Sequence, residues 1–146
     1  MADFSVTLRT VPGTRAAIGR AGTHTIVIDR PEGRAGGMGL GFSGGQLLAI
    51  AIRGCLCNDL QYAAEKRGVS IRALAVEVNV VFAGEPLLAE SAEVKVDVTS
   101  GDPGADVDAL IGAAVAVSAA TNSLIRGVPS MWHEVGSHDV EDLRVG

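Results

Sequence analysis

The feature that most constrains the fold is a helical segment, residues 45–67, whose apolar side chains cover nearly every side of its first four turns. Ser43 and Gln46 form a capping-box pattern at its start, and Gly68 is a typical helix stop. We expect only the C-terminal end of the segment, with the charged residues 65–67, to meet water. A helix that is apolar all round must be surrounded by other protein, so we expect this segment to be the buried centre of the fold.

Alternation of apolar and polar residues predicts strands on both sides of this helix. Asp102-Pro103 predicts the start of a second apolar helix, over residues 104–125. The predicted strands cover residues 4–9, 16–18, 25–28, 76–82, 92–99 and 128–135. The order is therefore β-β-β-α-β-β-α-β, an α+β arrangement with antiparallel sheets in one domain, residues 1–146.

Composition excludes several functional classes. The net charge of −5, with 12 basic and 17 acidic residues, is opposite to what a nucleic-acid-binding protein needs. No apolar run is long enough for a membrane span, and the first thirty residues lack a signal-peptide pattern, so we expect a cytoplasmic protein that does not bind membranes.

Two further patterns argue against a metal or a nucleotide cofactor. His24, His133 and His138 are too scattered for a metal site, and the Cys-x-Cys pair has no matching second pair. The glycine-rich run 36–45 lacks the lysine of a phosphate-binding loop. We therefore predict neither a metal nor a cofactor.

A set of short motifs resembles the OsmC/Ohr family, named for osmotically inducible protein C and organic hydroperoxide resistance protein. The matching order and spacing span most of the chain. The motifs are Asp29-Arg30-Pro31, Gly36-Gly37, Gln46-Leu47-Leu48-Ala49, Gly54-Cys55, Gly68-Val69 and the segment Asn122 to Val128. The resemblance implies an OsmC-like fold and an intertwined homodimer in which sheets from both subunits bury the cysteine helix.

The resemblance also implies a chemistry. A cysteine at the position of Cys55 attacks the O–O bond of an organic hydroperoxide, which is an apolar small-molecule substrate. An arginine from the early strands, at Arg15 or Arg20, and a glutamate at the position of Gln46 polarise the site. A second cysteine on the later helix then captures the sulfenic acid.

This sequence departs from that pattern at two places. Gln46 carries no charge and cannot hold an arginine by a salt bridge, and a capping box alone accounts for it. The second cysteine should fall near Ser118 or Ala119, neither of which can form a disulfide. Cys57 is no substitute, because residues two apart on a helix project about 200° from one another.

The local sequence leaves the choice of reactive cysteine open. Asp59, one turn after Cys55, disfavours its thiolate, whereas Arg53, one turn before Cys57, favours the thiolate there. The family position nevertheless selects Cys55. The ordinary interpretations are a small buried hydrophobe for each cysteine and a solvated surface charge for Arg15 and Arg20.

Three functions are compatible with these residues. The first is a thiol peroxidase that uses Cys55 alone and is regenerated by an external thiol reductant. The second is a family member redirected to another reaction on an organic metabolite. The third is a small-molecule-binding homodimer without an essential thiol.

Overall fold

The structure is a computed structural model that describes residues 1–127 of the chain. It confirms an α+β fold with two antiparallel sheets. The elements in chain order are β1 Thr7–Thr10, β2 Ala17–Ala21, β3 His24–Ile28, α1 Gly44–Arg67, β4 Ile71–Ala83, β5 Leu88–Ser100, α2 Val107–Val117 and α3 Ala119–Arg126. The predicted last strand, 128–135, lies outside the described residues.

The strands form one three-stranded sheet and one long hairpin. The first sheet has the order β1-β2-β3, and the hairpin pairs β4 with β5 over their whole length. Alternation along β4 points Val76 into the core and leaves Glu77 and Asn79 exposed, as expected of a sheet with one covered face.

The core lies where α1 and α2 pack on the hairpin. Leu60 and Leu110 are fully buried there, and Leu56, Ala114 and Val76 surround them. Burial of each large aliphatic side chain contributes about 1.5–3 kcal/mol to folding, so this contact fixes the two helices relative to the hairpin.

The start and end of α1 are those that its sequence predicts. The Ser43 hydroxyl accepts from the Gln46 N–H, the Gln46 side chain accepts from the Ser43 N–H at 2.9 Å, and Gly68 ends the helix in the left-handed conformation. These bonds satisfy backbone groups that a bare helix end leaves without partners.

One side of α1 is left uncovered by the rest of residues 1–127. Ile52, Leu56 and Leu60 are buried, but Ile50 and Ala51 are exposed on another side of the same helix. Among the described residues, the sheet β1-β2-β3 makes at most slight contact with the helices or the hairpin. The apolar residues of α1 therefore exceed what the described part of the chain covers.

The predicted continuous helix over residues 104–125 is wrong at its start and in its middle. Asp102 accepts a hydrogen bond from the Ser70 N–H, so it ties the chain to the start of β4, and the helix begins instead after Asp106, which accepts from the Ala109 N–H at 2.9 Å. At Ser118 the backbone leaves the helical conformation, with ψ at 110°, and α2 ends. A separate helix, α3, follows at 53° to α2.

No single helix in the described part of the chain has the length and hydropathy of a membrane span. The bent pair α2 and α3 would pass such a test together, by length and composition only.

Candidate functional site

Cys55 lies in the middle of α1, opposite the break between α2 and α3. Its Sγ donates to Asp59 Oδ2 at 3.4 Å and accepts from the Ala120 N–H at 3.5 Å. The side chain is half-buried, and both cysteines are free thiols. The structure thus places the sulfur between a carboxylate on its own helix and an amide from the start of another.

These two neighbours act on the sulfur in opposite directions. Ala120 is in the first turn of α3, where N–H groups have no intrahelical acceptor and the helix dipole is positive, so it favours the thiolate. Asp59 accepts a hydrogen bond from the thiol and repels a thiolate. Cys55 can therefore act as a hydrogen-bond donor when protonated and as an acceptor when ionised.

Ser118, the residue at the helix break, is fully buried. Its hydroxyl donates to the Thr121 hydroxyl at 3.5 Å, and it is two residues before the amide that contacts Cys55. Ser118 is thus two residues from the amide that contacts Cys55. It occupies one of the two positions where the resemblance places a second cysteine. A hydroxyl there cannot form a disulfide.

Two apolar hollows adjoin the helix break. One, of about 360 Å³, is lined mainly by aliphatic side chains of α1, the hairpin and α3, among them Leu48, Ile52 and Leu124. The other, of about 370 Å³, lies between α1, α2 and β5. Val94 and Thr121 line both, and Thr121 directly follows the amide that contacts Cys55. Cys55 itself lines neither hollow, and an apolar molecule there would lie beside Thr121, next to the residue whose amide contacts the sulfur.

A larger open cleft, of about 600 Å³, lies elsewhere and contains neither cysteine. Arg53, Glu77, Lys95 and Asp97 make much of its lining charged. Size alone would select this cleft, but only the two smaller hollows are lined by Thr121, next to the amide that contacts Cys55, so they are the better candidate for chemistry.

The structure does not bring Gln46 to Cys55 within the chain. The Gln46 side chain is engaged in the capping box. Nine residues of helix separate Gln46 from Cys55, which is about 13.5 Å along the axis and about two and a half turns, so the two side chains project from opposite sides.

The two candidate arginines also lie away from Cys55, on the N-terminal sheet. Arg15 lies in the turn before β2, and its side chain packs over Gly36, where a Cβ would come within 2.7 Å of the Arg15 Cδ. Arg20 is exposed in β2, beside a shallow hollow that Arg9 and Ile18 also line. In residues 1–127, neither arginine hydrogen-bonds to Cys55.

Cys57 has different surroundings from Cys55. It is half-buried and packs against the core cluster formed by α1, α2 and the hairpin. Arg53 is exposed and lines the charged cleft, and no hydrogen bond joins these two residues in the described region. The same region holds no cluster of three His, Cys, Asp or Glu side chains able to bind a metal ion.

The sequence motifs included Asp29 but did not predict what it does. Its buried carboxylate accepts from the N–H groups of Met38, Leu40 and Arg30, at 2.8–3.1 Å, with the Arg30 guanidinium at 3.6 Å. The Met38 and Leu40 amides, followed by the contacts with Arg30, lower the pKa of Asp29 below its ordinary 3.8 despite burial. The signal for this role in the sequence is an acidic residue placed between a predicted strand and a glycine-rich loop. Asp29 fixes that loop ahead of α1.

Comparison with solved structures identifies proteins of the same fold. An OsmC-like protein from Mycoplasma pneumoniae has a TM-score of 0.72 and 17% identity, covering 87% of this chain and 89% of that one. An OsmC-like protein of unknown function from Vibrio cholerae has a TM-score of 0.72 and 10% identity, covering 84% and 94%. The organic hydroperoxide resistance protein OhrB of Bacillus subtilis has a TM-score of 0.55 and 21% identity, covering 87% and 93%.

These identities are low enough that the structural likeness establishes the fold alone. No curated protein sequence matches the chain. The family described as OsmC-like protein, however, matches residues 36–133, which is more than half of the sequence and includes Cys55, Asp59 and Ser118. The chain therefore belongs to the OsmC-like protein family.

Proposed function

We propose that this protein is a thiol-dependent peroxidase that reduces organic hydroperoxides through Cys55. The observation that carries the proposal is the position of the Cys55 sulfur, which accepts the Ala120 N–H beside two apolar hollows. Membership of the OsmC-like family, with a similar fold in a protein named for organic hydroperoxide resistance, supports the same substrate class.

The reaction consumes one hydroperoxide and two thiols. The Cys55 thiolate attacks the terminal oxygen of the hydroperoxide, the O–O bond breaks, and the organic part leaves as an alkoxide that takes a proton to become an alcohol. The resulting sulfenic acid condenses with an external thiol and releases water. A second external thiol attacks that mixed disulfide, which regenerates Cys55 and releases an oxidised disulfide.

An external reductant follows from the residues near Cys55. Ser118 has a hydroxyl at a position where the family resemblance places a cysteine, and Cys57 projects from a different side of α1. A sulfenic acid on Cys55 therefore has no thiol partner within residues 1–127, so a small thiol or a thiol protein must complete the cycle.

We propose further that two copies form the active unit. The exposed Ile50 side of α1 and the largely separate N-terminal sheet are the surfaces that a second copy would cover. Arg15 or Arg20 of that copy is our candidate for the cation beside the thiolate, because neither reaches Cys55 within one chain. A cytoplasmic location remains an expectation from the sequence.

Coupled oxidation of a small thiol by an organic hydroperoxide tests this function. Wild type and Cys57→Ser should consume cumene hydroperoxide and thiol in a ratio of about one to two, and Cys55→Ser should lose at least about a hundredfold in rate, because the nucleophile is absent. Equal activity in Cys55→Ser and wild type would contradict the proposal. So would a wild-type protein without turnover on either aliphatic or aromatic hydroperoxides.

A further inference from the structure

We propose that Asn122 is a positioning residue for Cys55, which acts by occupying the carbonyl that would otherwise bind the Ala120 N–H. This inference rests on the proposed function, because it explains how the structure maintains a hydrogen-bond donor at the reactive sulfur. Asn122 itself touches neither sulfur nor substrate space, and it acts through the backbone at the break between α2 and α3.

An uninterrupted helix through this region would occupy the Ala120 N–H with a backbone hydrogen bond. Each N–H would bond to the carbonyl four residues earlier, so Ala120 would bond to Ala116 and Ala119 to Val115. An Ala120 N–H engaged in this way would not be available to a side chain from another helix. The contact with Cys55 therefore requires the helix to be interrupted where it is.

The side chain of Asn122 takes over these carbonyls. Its Nδ2 donates to the Val115 and Ala116 oxygens, each at 3.3 Å, and to the Ser118 oxygen at 2.8 Å. The Val115 oxygen also accepts the Ser118 N–H at 3.3 Å, so the Val115 and Ala116 carbonyls at the end of α2 are satisfied without the amides of α3. Continuing the helix would offer these carbonyls no additional hydrogen bond.

The Ala119 and Ala120 N–H groups, which a continuous helix would bond to these carbonyls, then lack a local acceptor. Ser118 precedes α3 but provides no side-chain cap, because its hydroxyl is directed to the Thr121 hydroxyl. The Cys55 Sγ, 3.5 Å from the Ala120 nitrogen, accepts one of these N–H groups. The sulfur therefore takes the place of a capping oxygen at the start of α3, and the Asn122 amide makes this possible.

Alkylation of single thiols by iodoacetamide at pH 7 tests the inference, because only the thiolate reacts. In a Cys57→Ser background, Asn122→Leu should slow alkylation of Cys55 about fivefold to tenfold, the effect expected from loss of one ordinary hydrogen bond. Asn122→Asp, which keeps the shape but cannot donate, should also slow it. Ser123→Ala, at the neighbouring position, should leave the rate unchanged.

Alkylation of Cys57 in a Cys55→Ser background separates positioning from loosening of the fold. Positioning predicts no change at Cys57 when Asn122 is replaced, whereas a loosened core would make Cys57 react faster. Unchanged alkylation of Cys55 in both Asn122 variants, or acceleration of both thiols together, would overturn the inference. A wild type without peroxidase turnover would contradict the proposed function alone, since the alkylation comparison does not depend on turnover.

Discussion

Cys55 is held between two groups that stabilise different protonation states. Asp59 accepts a hydrogen bond from its thiol at 3.4 Å, and the Ala120 amide donates to its sulfur at 3.5 Å. The sequence indicated that Asp59 disfavours the Cys55 thiolate, because residues four apart on a helix lie side by side. It could not indicate Ala120, which comes from sixty-five residues away and depends on where a second helix breaks.

Replacing Asp59 with Asn tests the electrostatic part of this description. Removing the negative charge should speed alkylation of Cys55 at pH 7 severalfold, since a nearby carboxylate disfavours the thiolate. Iodoacetamide kinetics in the Cys57→Ser background provide the measurement. Slower alkylation would mean that Asp59 assists ionisation by taking the proton, contrary to our interpretation.

Asp29 predicts a dependence of stability on acid. Its pKa is lower in the folded protein than the ordinary 3.8, so the folded state favours the charged form and this stabilisation is complete above about pH 4. It is lost as pH falls through the folded pKa, below 3.8. Asp29→Asn should lower the midpoint of thermal unfolding at pH 7. The difference in midpoint between this variant and wild type should become smaller below pH 4. A constant difference across that range would contradict the assignment.

At the scale of elements, the structure confirms what local sequence signals determine. The capping box and Gly68 place both ends of α1, because the bonds involved join residues within a few positions of each other. The second helix was predicted as continuous because its apolar pattern runs through Ser118. At the break, the Asn122 amide and the Cys55 sulfur bond groups that a continuous helix would pair with each other, and neither contact is visible in apolar periodicity.

Gln46 offers a test of a structural role against a catalytic one. If capping is its role, Gln46→Ala should lower the free energy of unfolding by on the order of 0.5–1 kcal/mol and leave peroxidase turnover unchanged. Denaturant unfolding and the coupled assay give the two values. A large loss of turnover with little loss of stability would assign Gln46 to the site instead.

The helix break also predicts which position could carry a resolving thiol. Ser118 is buried at the break, whereas Ala119 is exposed. We expect Ser118→Cys, in the Cys57→Ser background, to form a disulfide with Cys55 after one equivalent of hydroperoxide, and Ala119→Cys to remain reduced. Mass spectrometry of unreduced peptides would detect the bond. Cross-linking of Ala119→Cys in preference to Ser118→Cys would contradict the described geometry.

Residues 1–127 leave large apolar side chains exposed at the N-terminal end and on α1. Phe4, Leu8 in β1 and Ile50 in α1 are exposed, although all three are large apolar side chains of the kind that proteins bury. The resemblance to the family supplied the expectation of a dimer, which no single-chain pattern could, because the atoms that would cover these residues in a dimer belong to another molecule. Sedimentation equilibrium should give twice the chain mass of 14.9 kDa. A monomer at micromolar concentration would contradict this arrangement.

The most direct test of the central claim is the position of the oxygen atom after a single turnover without reductant. One equivalent of cumene hydroperoxide, followed by trapping of the sulfenic acid and peptide mass spectrometry, should label Cys55 and leave Cys57 unmodified. The label should persist on Cys55 in Cys57→Ser and vanish in Cys55→Ser. Labelling of Cys57, or of neither thiol, would contradict the account.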